Sequence, residues 1–330
     1  MPAPPPPRLA LVIGDPAGIG PELAARLLAD AEVRAAARLV VIGDRRVLAH
    51  GAAVAGVPLH IRTLAAAGDP LPEGAGLLDL GHLDPAGITE GVASAAGGKF
   101  ALANFRAGLR LAADGSVGGV FFTPFNKAAM HLAHSAYADE IGFVSEVLGI
   151  SVPASEFNIL GNLWNARVTS HVPLADVAPM ITRERVLRGI VLTHGSLVAS
   201  GMPAPRIGVA GLNPHAGDGG NFGHEEEREI APAIAAAREQ GIDATGPYPA
   251  DTVFVRATNG AFDAVLTMYH DQGQIAMKLL GFDKGVTLMG GFPFPITTPS
   301  HGSAYDIAGK GVANPGASRN ALLLAARMAA

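Results

Sequence analysis

Short apolar runs alternate along this chain with longer Ala- and Leu-rich segments of helical period. Leu9–Ile13, Leu39–Ile42 and Val117–Phe122 read as buried strands, and Arg167–Thr169, Arg206–Ala210 and Ala264–Met268 read as strands that end in turns bearing histidines. Helical period covers Pro21 to about Ala29, Gly97–Ala113, Glu140–Leu148, Thr182–Ser200, His224–Gln240 and Ala317–Met328. Strand and helix in alternation predict an α/β fold, a mostly parallel sheet covered by helices. The pattern contains no fixed-period repeat, and past residue 7 no segment reads as a linker.

Length changes the picture first. At 330 residues the chain exceeds what one core usually serves, so two lobes are expected, with the chain crossing between them twice. With 49% hydrophobic and 16% charged residues it can bury a large core and is not disordered. Mean hydropathy is positive, +0.30, but it comes from scattered Ala and Gly. No stretch approaches the roughly 20 apolar residues of a spanning helix. The Pro-rich start, Met1 to Pro7, lacks a basic region and an apolar signal core, so a cytoplasmic protein away from membranes is expected. A net charge of −5 argues against nucleic acid as partner. The absence of Cys excludes disulfides and thiolate chemistry.

The candidate chemistry collects at predicted strand ends. Gly14-Asp15-Pro16-Ala17-Gly18-Ile19-Gly20-Pro21-Glu22 follows the first strand and opens a helix. Its glycines, Gly18 and Gly20 among them, would let backbone N–H groups approach an anion, or would simply make a tight turn. The spacing matches neither a dinucleotide fingerprint nor a P-loop. His171, His215 and His270 lie in similar strand-to-turn contexts, where α/β sheets place ligands. Three imidazoles near a carboxylate such as Asp251 or Asp271 suit a divalent metal, against the alternative of solvated loop histidines. Lys127, after the strand ending at Phe122, would polarise a substrate oxygen, bind a carboxylate, or face water, and Lys278 is open to the same readings. The loop from Pro299 to Pro315 carries His301, Gly302, Ser303, Asp306 and Asn314, and could wrap a nucleotide with Asp306 on the ribose hydroxyls. The acidic run His224–Glu229 reads as the solvated start of a helix, without chemistry.

Taken in order, Gly14–Glu22, Asn126-Lys127, His171-Val172-Pro173-Leu174, Asn213-Pro214-His215-Ala216-Gly217, Ala250-Asp251-Thr252 and His270-Asp271-Gln272-Gly273 resemble the signatures of the 4-hydroxythreonine-4-phosphate dehydrogenase family. The resemblance spans essentially the whole chain, and His301–Pro315 also resembles the nucleotide loop of isocitrate and isopropylmalate dehydrogenases. It implies their two-domain α/β fold, with NAD or NADP bound without a Rossmann fingerprint. It further implies a homodimer with shared active sites, and a divalent metal on His171, His215 and His270. Domains of 1–126 plus 272–330 on the cofactor side and 127–271 for metal and dimerisation follow from it.

The departures from that family concern the phosphate site. Asp139-Glu140-Ile141-Gly142 stands where Gly-His-Thr-Glu is usual, and an expected Asn and Arg fall on Thr287 and Ile296. Of that set Lys278 alone is retained, and Glu140 beside a phosphate dianion would repel it. The expectation is therefore a metal-dependent, NAD(P)-linked oxidation of an unphosphorylated hydroxy acid or dihydrodiol carboxylate, with or without decarboxylation. Lys127, Lys278 and Asp251 are the catalytic candidates, and Zn, Co, Mn, Ni or Mg the candidate ions. The alternative is the phosphorylated four-carbon hydroxy acid itself. A metal-dependent hydrolase or a non-catalytic binding protein is a third reading, against which the His301–Pro315 loop speaks.

Overall fold

A computed structural model describes residues 5–71 and 74–330; of the Pro-rich start, residues 1–4 lie outside it. Contacts divide the chain into two units, one running to Val152 and resuming at Phe292–Ala330, the other Pro153–Gly291.

The first unit begins with β1 (Arg8–Val12), α1 (Gly20–Ala29), α2 (Ala31–Ala36), β2 (Arg38–Gly43), α3 (Arg45–Ala55), β3 (Ala75–Asp79), α4 (Ala95–Ala113), β4 (Val120–Phe122), α5 (Lys127–Ala133) and α6 (Glu140–Leu148). β1 runs parallel to β2 and β4, and β2 parallel to β3. Leu9, Ala10, Leu11 and Val12 are fully buried, as a strand covered on both faces requires. α4 starts where the Ser94 hydroxyl accepts from Gly97 N. It presses so close to the sheet that a Cβ on Gly108 would lie 2.7 Å from Val12. Phe105 on α4 packs against Phe122, Phe125 and Phe143, with ring centroids 4.9, 5.1 and 5.8 Å away. That aromatic cluster fixes where α5 and α6 begin, and hence where Lys127 and Glu140 stand.

The second unit contains β5 (Ser155–Leu160), β6 (Leu163–Arg167), α7 (Val177–Met180), α8 (Arg183–Ala199), β7 (Ile207–Ala210), α9 (Ala231–Glu239), β8 (Ala244–Tyr248), α10 (Ala250–Thr258), β9 (Ala264–Thr267), α11 (His270–Gly281) and β10 (Val286–Gly290). Its strand order is β10-β5-β6-β9-β7-β8. β5 is antiparallel to β10 and β6, and the remaining pairs are parallel. β6, β9 and β7 are parallel neighbours, so their carboxyl ends open at one edge of the sheet. The segments carrying His171, His270 and His215 leave from those ends. The chain then returns to the first unit as β11 (Ile296–Pro299), parallel to β4, and α12 (Gly316–Ala329).

Three sequence-based boundaries move. The strand expected at Arg167–Thr169 is β6, which ends at Arg167, so residues 168–170 are already loop. The run from Val117 shortens to Val120–Phe122. The helix expected over His224–Gln240 is divided, with a π-helical turn at Glu226–Ile230 before α9. The contact-based units divide after Val152 and Gly291. α5 and α6 stay with the first unit because both pack on α4, and α11 stays with the second because it packs on β5, β6 and β9.

Candidate active site

In the second unit, the turn after β6 is set by a buried guanidinium. Arg167 donates from Nη2 to Glu156 Oε2 (2.6 Å), from Nη1 to Asn158 Oδ1 (2.7 Å) and from Nε to Ser170 Oγ (3.0 Å). Burial pulls its pKa below the ordinary arginine value, and Glu156 acts in the opposite direction. Asn158 also accepts from Gln274 and donates to Thr287 Oγ1 at 3.5 Å. His171, the next residue after Ser170, has φ of 37°, a left-handed conformation uncommon for a residue with a Cβ. Its ring lies 5.7 Å from that of His270. His270 Nδ1 lies 2.7 Å from Asp271 Oδ1, and an Nδ1–H donating to that carboxylate leaves Nε2 for a ligand. Gln272 ties two strand ends together, accepting from Met268 N and donating to Gly211 O.

His215 is held differently. It opens a run of left-handed residues, His215 to Gly219, with φ between 45° and 82°. The ring is 6.0 Å from Phe222. Among the described residues of one chain, no three His, Cys, Asp or Glu side chains gather closely enough to hold an ion. The chain therefore brings the His171 and His270 rings near one another, and His215 is exposed. That donor set fits a borderline divalent ion if a third ligand arrives from elsewhere. Asp251 is exposed in the first turn of α10, and Lys278 is exposed on α11.

In the first unit, the Gly14–Glu22 segment packs against the loop that follows β11. A Cβ on Gly18 would sit 2.7 Å from Ser303, and one on Gly20 would sit 2.8 Å from Thr123 Oγ1. These glycines serve close approach of protein to protein. Ile19 N donates to Ser303 O, and Asn126 Nδ2 donates to Ser303 Oγ. Glu22, 3% exposed, accepts at Oε1 from Arg26 and from Ala313 N, while Arg26 also donates to Gly311 O. Asp15, 1% exposed, accepts from Ala17 N and from the Tyr305 hydroxyl. Burial raises the Asp15 pKa, and the Tyr305 and Ala17 hydrogen bonds only partly offset this. The loop is thus clamped at residues 303, 305, 311 and 313. Gly302 and Asp306 are exposed, Lys310 Nζ donates to Asp306 O, and Asn314 Oδ1 accepts from Gly316 N where α12 begins. His301, with Nδ1 3.1 Å from Gly302 O, is pushed by burial below its ordinary pKa.

Lys127 and Glu140 meet in this unit, with Nζ 3.9 Å from Oε2. Each follows a helix cap, Asn126 accepting from Ala129 N and Asp139 from Gly142 N. Glu140 is therefore not the lone carboxylate that the sequence suggested, because its charge is opposed by Lys127. Ile141 is half-buried, whereas Ile296 is fully buried in β11. Of the acidic run, His224, Glu227 and Arg228 are solvated as expected, and Glu226 is the exception. Glu226 is 3% exposed and accepts from Leu212 N and Asn213 N at 2.7 Å and from Asn213 Nδ2 at 2.9 Å. Helix-start acids are usually solvated, and nothing in local spacing signals a partner at the far end of a left-handed turn. Arg167 and Gln272 were missed for the same reason, since their partners are distant in sequence.

Parallel strands with functional side chains at their carboxyl ends are one recurring frame of α/β enzymes, and the comparisons say which. The relatives are named as dehydrogenases, so this chain is an oxidoreductase acting on CH–OH groups. It belongs to the family "Pyridoxal phosphate biosynthetic protein PdxA", whose model matches residues 35–325. It is 57% identical over 328 residues to a protein of Rhizobium meliloti (strain 1021) named "Putative 4-hydroxythreonine-4-phosphate dehydrogenase 2", covering 98% of this chain and 93% of that one. It is 38% identical to the "D-threonate 4-phosphate dehydrogenase" of Cupriavidus necator, over 98% of this chain and 97% of that one. A crystal structure of 4-hydroxythreonine-4-phosphate dehydrogenase from Klebsiella pneumoniae superposes with a TM-score of 0.86 at 35% identity, covering 98% of each chain. Among the described residues no helix is long and apolar enough to cross a membrane.

Proposed function

We propose that the protein oxidises the secondary alcohol of a small four-carbon hydroxy acid that carries a 4-phosphate, such as 4-hydroxythreonine 4-phosphate or D-threonate 4-phosphate, with NAD or NADP as hydride acceptor. The observation that carries the phosphorylated reading is the Lys127–Glu140 pair. A carboxylate opposed by a lysine no longer repels a phosphate as an isolated one would. The relatives' names point the same way.

The residues divide the work. Lys278 and Lys127 are exposed cations for the phosphate and carboxylate of the substrate. Thr287, Glu140 and Ile141 shape the substrate side, and Asp251 supplies a carboxylate to accept a hydrogen bond from a substrate hydroxyl. The clamped loop presents His301, Gly302 and Asp306 to the dinucleotide, Asp306 taking the ribose hydroxyls. His171, His215 and His270 would hold a divalent ion, which when bound polarises the reacting hydroxyl as a Lewis acid. The third imidazole coming from a second subunit would make the working form a homodimer with shared sites. Ile141 and the buried Ile296 favour a second reading, an unphosphorylated hydroxy acid or dihydrodiol carboxylate, because neither side chain offers a donor to a phosphate.

The test is kcat/KM, followed by the absorbance of reduced nicotinamide, for the phosphorylated compounds and their unphosphorylated counterparts, with and without added metal. A value of about 10⁴ M⁻¹s⁻¹ or more on a phosphorylated substrate is the expected result. Efficient turnover confined to unphosphorylated acids would replace it with the second reading.

A further inference from the structure

We infer that Glu226 is a positioning residue for His215, and that its carboxylate sets the affinity of the site for a divalent ion without touching that ion. The inference rests on the proposal that His215 is a metal ligand, and adds a group which that proposal does not contain.

Several observations meet at this side chain. Glu226 is 3% exposed, and its hydrogen-bond donors are uncharged backbone and amide groups. A buried carboxylate is costly unless its lone pairs are filled. Here backbone N–H groups of Leu212 and Asn213 fill Oε1, both at 2.7 Å, and the Asn213 side chain fills Oε2 at 2.9 Å. Asn213 is further tethered by Glu225 Oε2. Such short hydrogen bonds to an ionised acceptor are the strong kind. They seize the chain immediately before His215, where it turns into the left-handed run His215–Gly219. Left-handed backbone carrying side chains persists only where its surroundings over-determine it. Glu226 is the surrounding group best placed to do so. The glycines beside it leave room for the carboxylate, since a Cβ on Gly217 would meet Oε2 at 2.8 Å and one on Gly211 would meet Oε1 at 3.1 Å.

The backbone beneath Glu226 is unusual as well. It opens the π-helical turn Glu226–Ile230, and π turns widen a helix by one residue, often where a side chain must be re-aimed. Ile230 at the other end of that turn is fully buried. The extra residue lets Ile230 stay in the core while Glu226 still reaches residues 212 and 213. Together the two devices, one on each side, place the His215 imidazole.

The experiment uses the full-length protein and Co²⁺ as a spectroscopic probe. Visible absorption of Co²⁺ is titrated into the unaltered protein, Glu226→Gln and Glu227→Gln. Glu227 is an exposed neighbour, so its variant controls for loss of one negative charge. Glu226→Gln keeps the size of the side chain, but its amide can fill only one of the two acceptor positions. The expected result is a Co²⁺ affinity about 10- to 100-fold weaker in Glu226→Gln with an altered visible spectrum, while Glu227→Gln stays as the unaltered protein. Glu226→Asp, which restores an acceptor carboxylate on a shorter arm, should recover part of the loss. Thermal unfolding of the metal-free variants reports whether the fold is kept, and a folded Glu226→Gln with unaltered affinity and spectrum overturns the inference. Failure of the unaltered protein to bind Co²⁺ overturns the metal reading itself and this role with it, so the two failures are distinguishable.

Discussion

Asp306 stands exposed in a loop that is hydrogen-bonded on either side of it. Its backbone carbonyl takes the Lys310 ammonium, and its neighbours Ser303 and Tyr305 are bound to Asn126 and Asp15. A carboxylate presented on so fixed a frame binds without first having to be ordered. Asp306→Ala should therefore weaken NAD binding by about 1–3 kcal/mol through loss of charge-assisted hydrogen bonds. An equilibrium titration of cofactor checks this, and unchanged affinity in the folded variant would remove Asp306 from the nucleotide site. At Glu140 the same scale of reasoning predicts a gain. Glu140→Gln leaves Lys127 without its opposing charge, so kcat/KM on a phosphorylated substrate should rise by about tenfold, roughly 1.4 kcal/mol. A fall on that substrate would show that the carboxylate itself contacts it productively.

Between elements, the Gly14–Glu22 segment and the loop after β11 behave as one clamp whose stability depends on pH. Asp15 is buried with its pKa raised, so its ionised form costs more folded than unfolded. Below the ordinary value of 3.8 it is neutral in both states and adds no penalty; the penalty grows as pH rises from there toward the elevated pKa and is complete above it. Asp15→Asn should thus raise the melting temperature near neutral pH, and the difference should shrink on acidification through that window. About 1.4 kcal/mol is at stake for each unit by which the pKa is raised. Melting curves of the two proteins from acid to neutral pH decide it. This clamp also shows how far the sequence could be read. The motif between β1 and α1 was legible as a turn, because glycine, proline and acid mark a helix start. Its pairing with the loop after β11 was not, since Glu22 and Ala313 meet across most of the chain. Among elements, β1, α4, α6 and α8 were legible from apolar period. β5 and all but the end of β6 were obscured because Glu156, Asn158, Asn165 and Arg167 place polar groups where an apolar run would announce a strand. α11 was obscured because Ile275 and Leu279 face outward, 61% and 83% exposed.

For the molecule as a whole, the question is how the imidazoles come together. That each of the three histidines follows a strand was legible, but their spatial relation was not, because it depends on strand order. The His171 and His270 rings lie 5.7 Å apart within one chain, and among the described residues of that chain no three candidate ligands gather closely enough to hold an ion. If a site takes His171 and His270 from one subunit and His215 from the other, a heterodimer of His215→Ala and His270→Ala subunits keeps one complete site. Mixing the two inactive variants should then restore activity to about half the unaltered level per dimer, given one site of two. Verified heterodimers that remain inactive would show that His215 and His270 reach the site from the same chain.

His171 and His215 both hold left-handed backbone, at φ of 37° and 53°. For a residue with a Cβ that conformation costs about 1–2 kcal/mol, and glycine would adopt it freely. Selection for heat tolerance alone, with no demand for activity, would therefore accept glycine at these two positions early and lose two imidazoles in doing so. On the proposed metal-ligand role, resistance to unfolding and possession of these two imidazoles are therefore competing traits at residues 171 and 215.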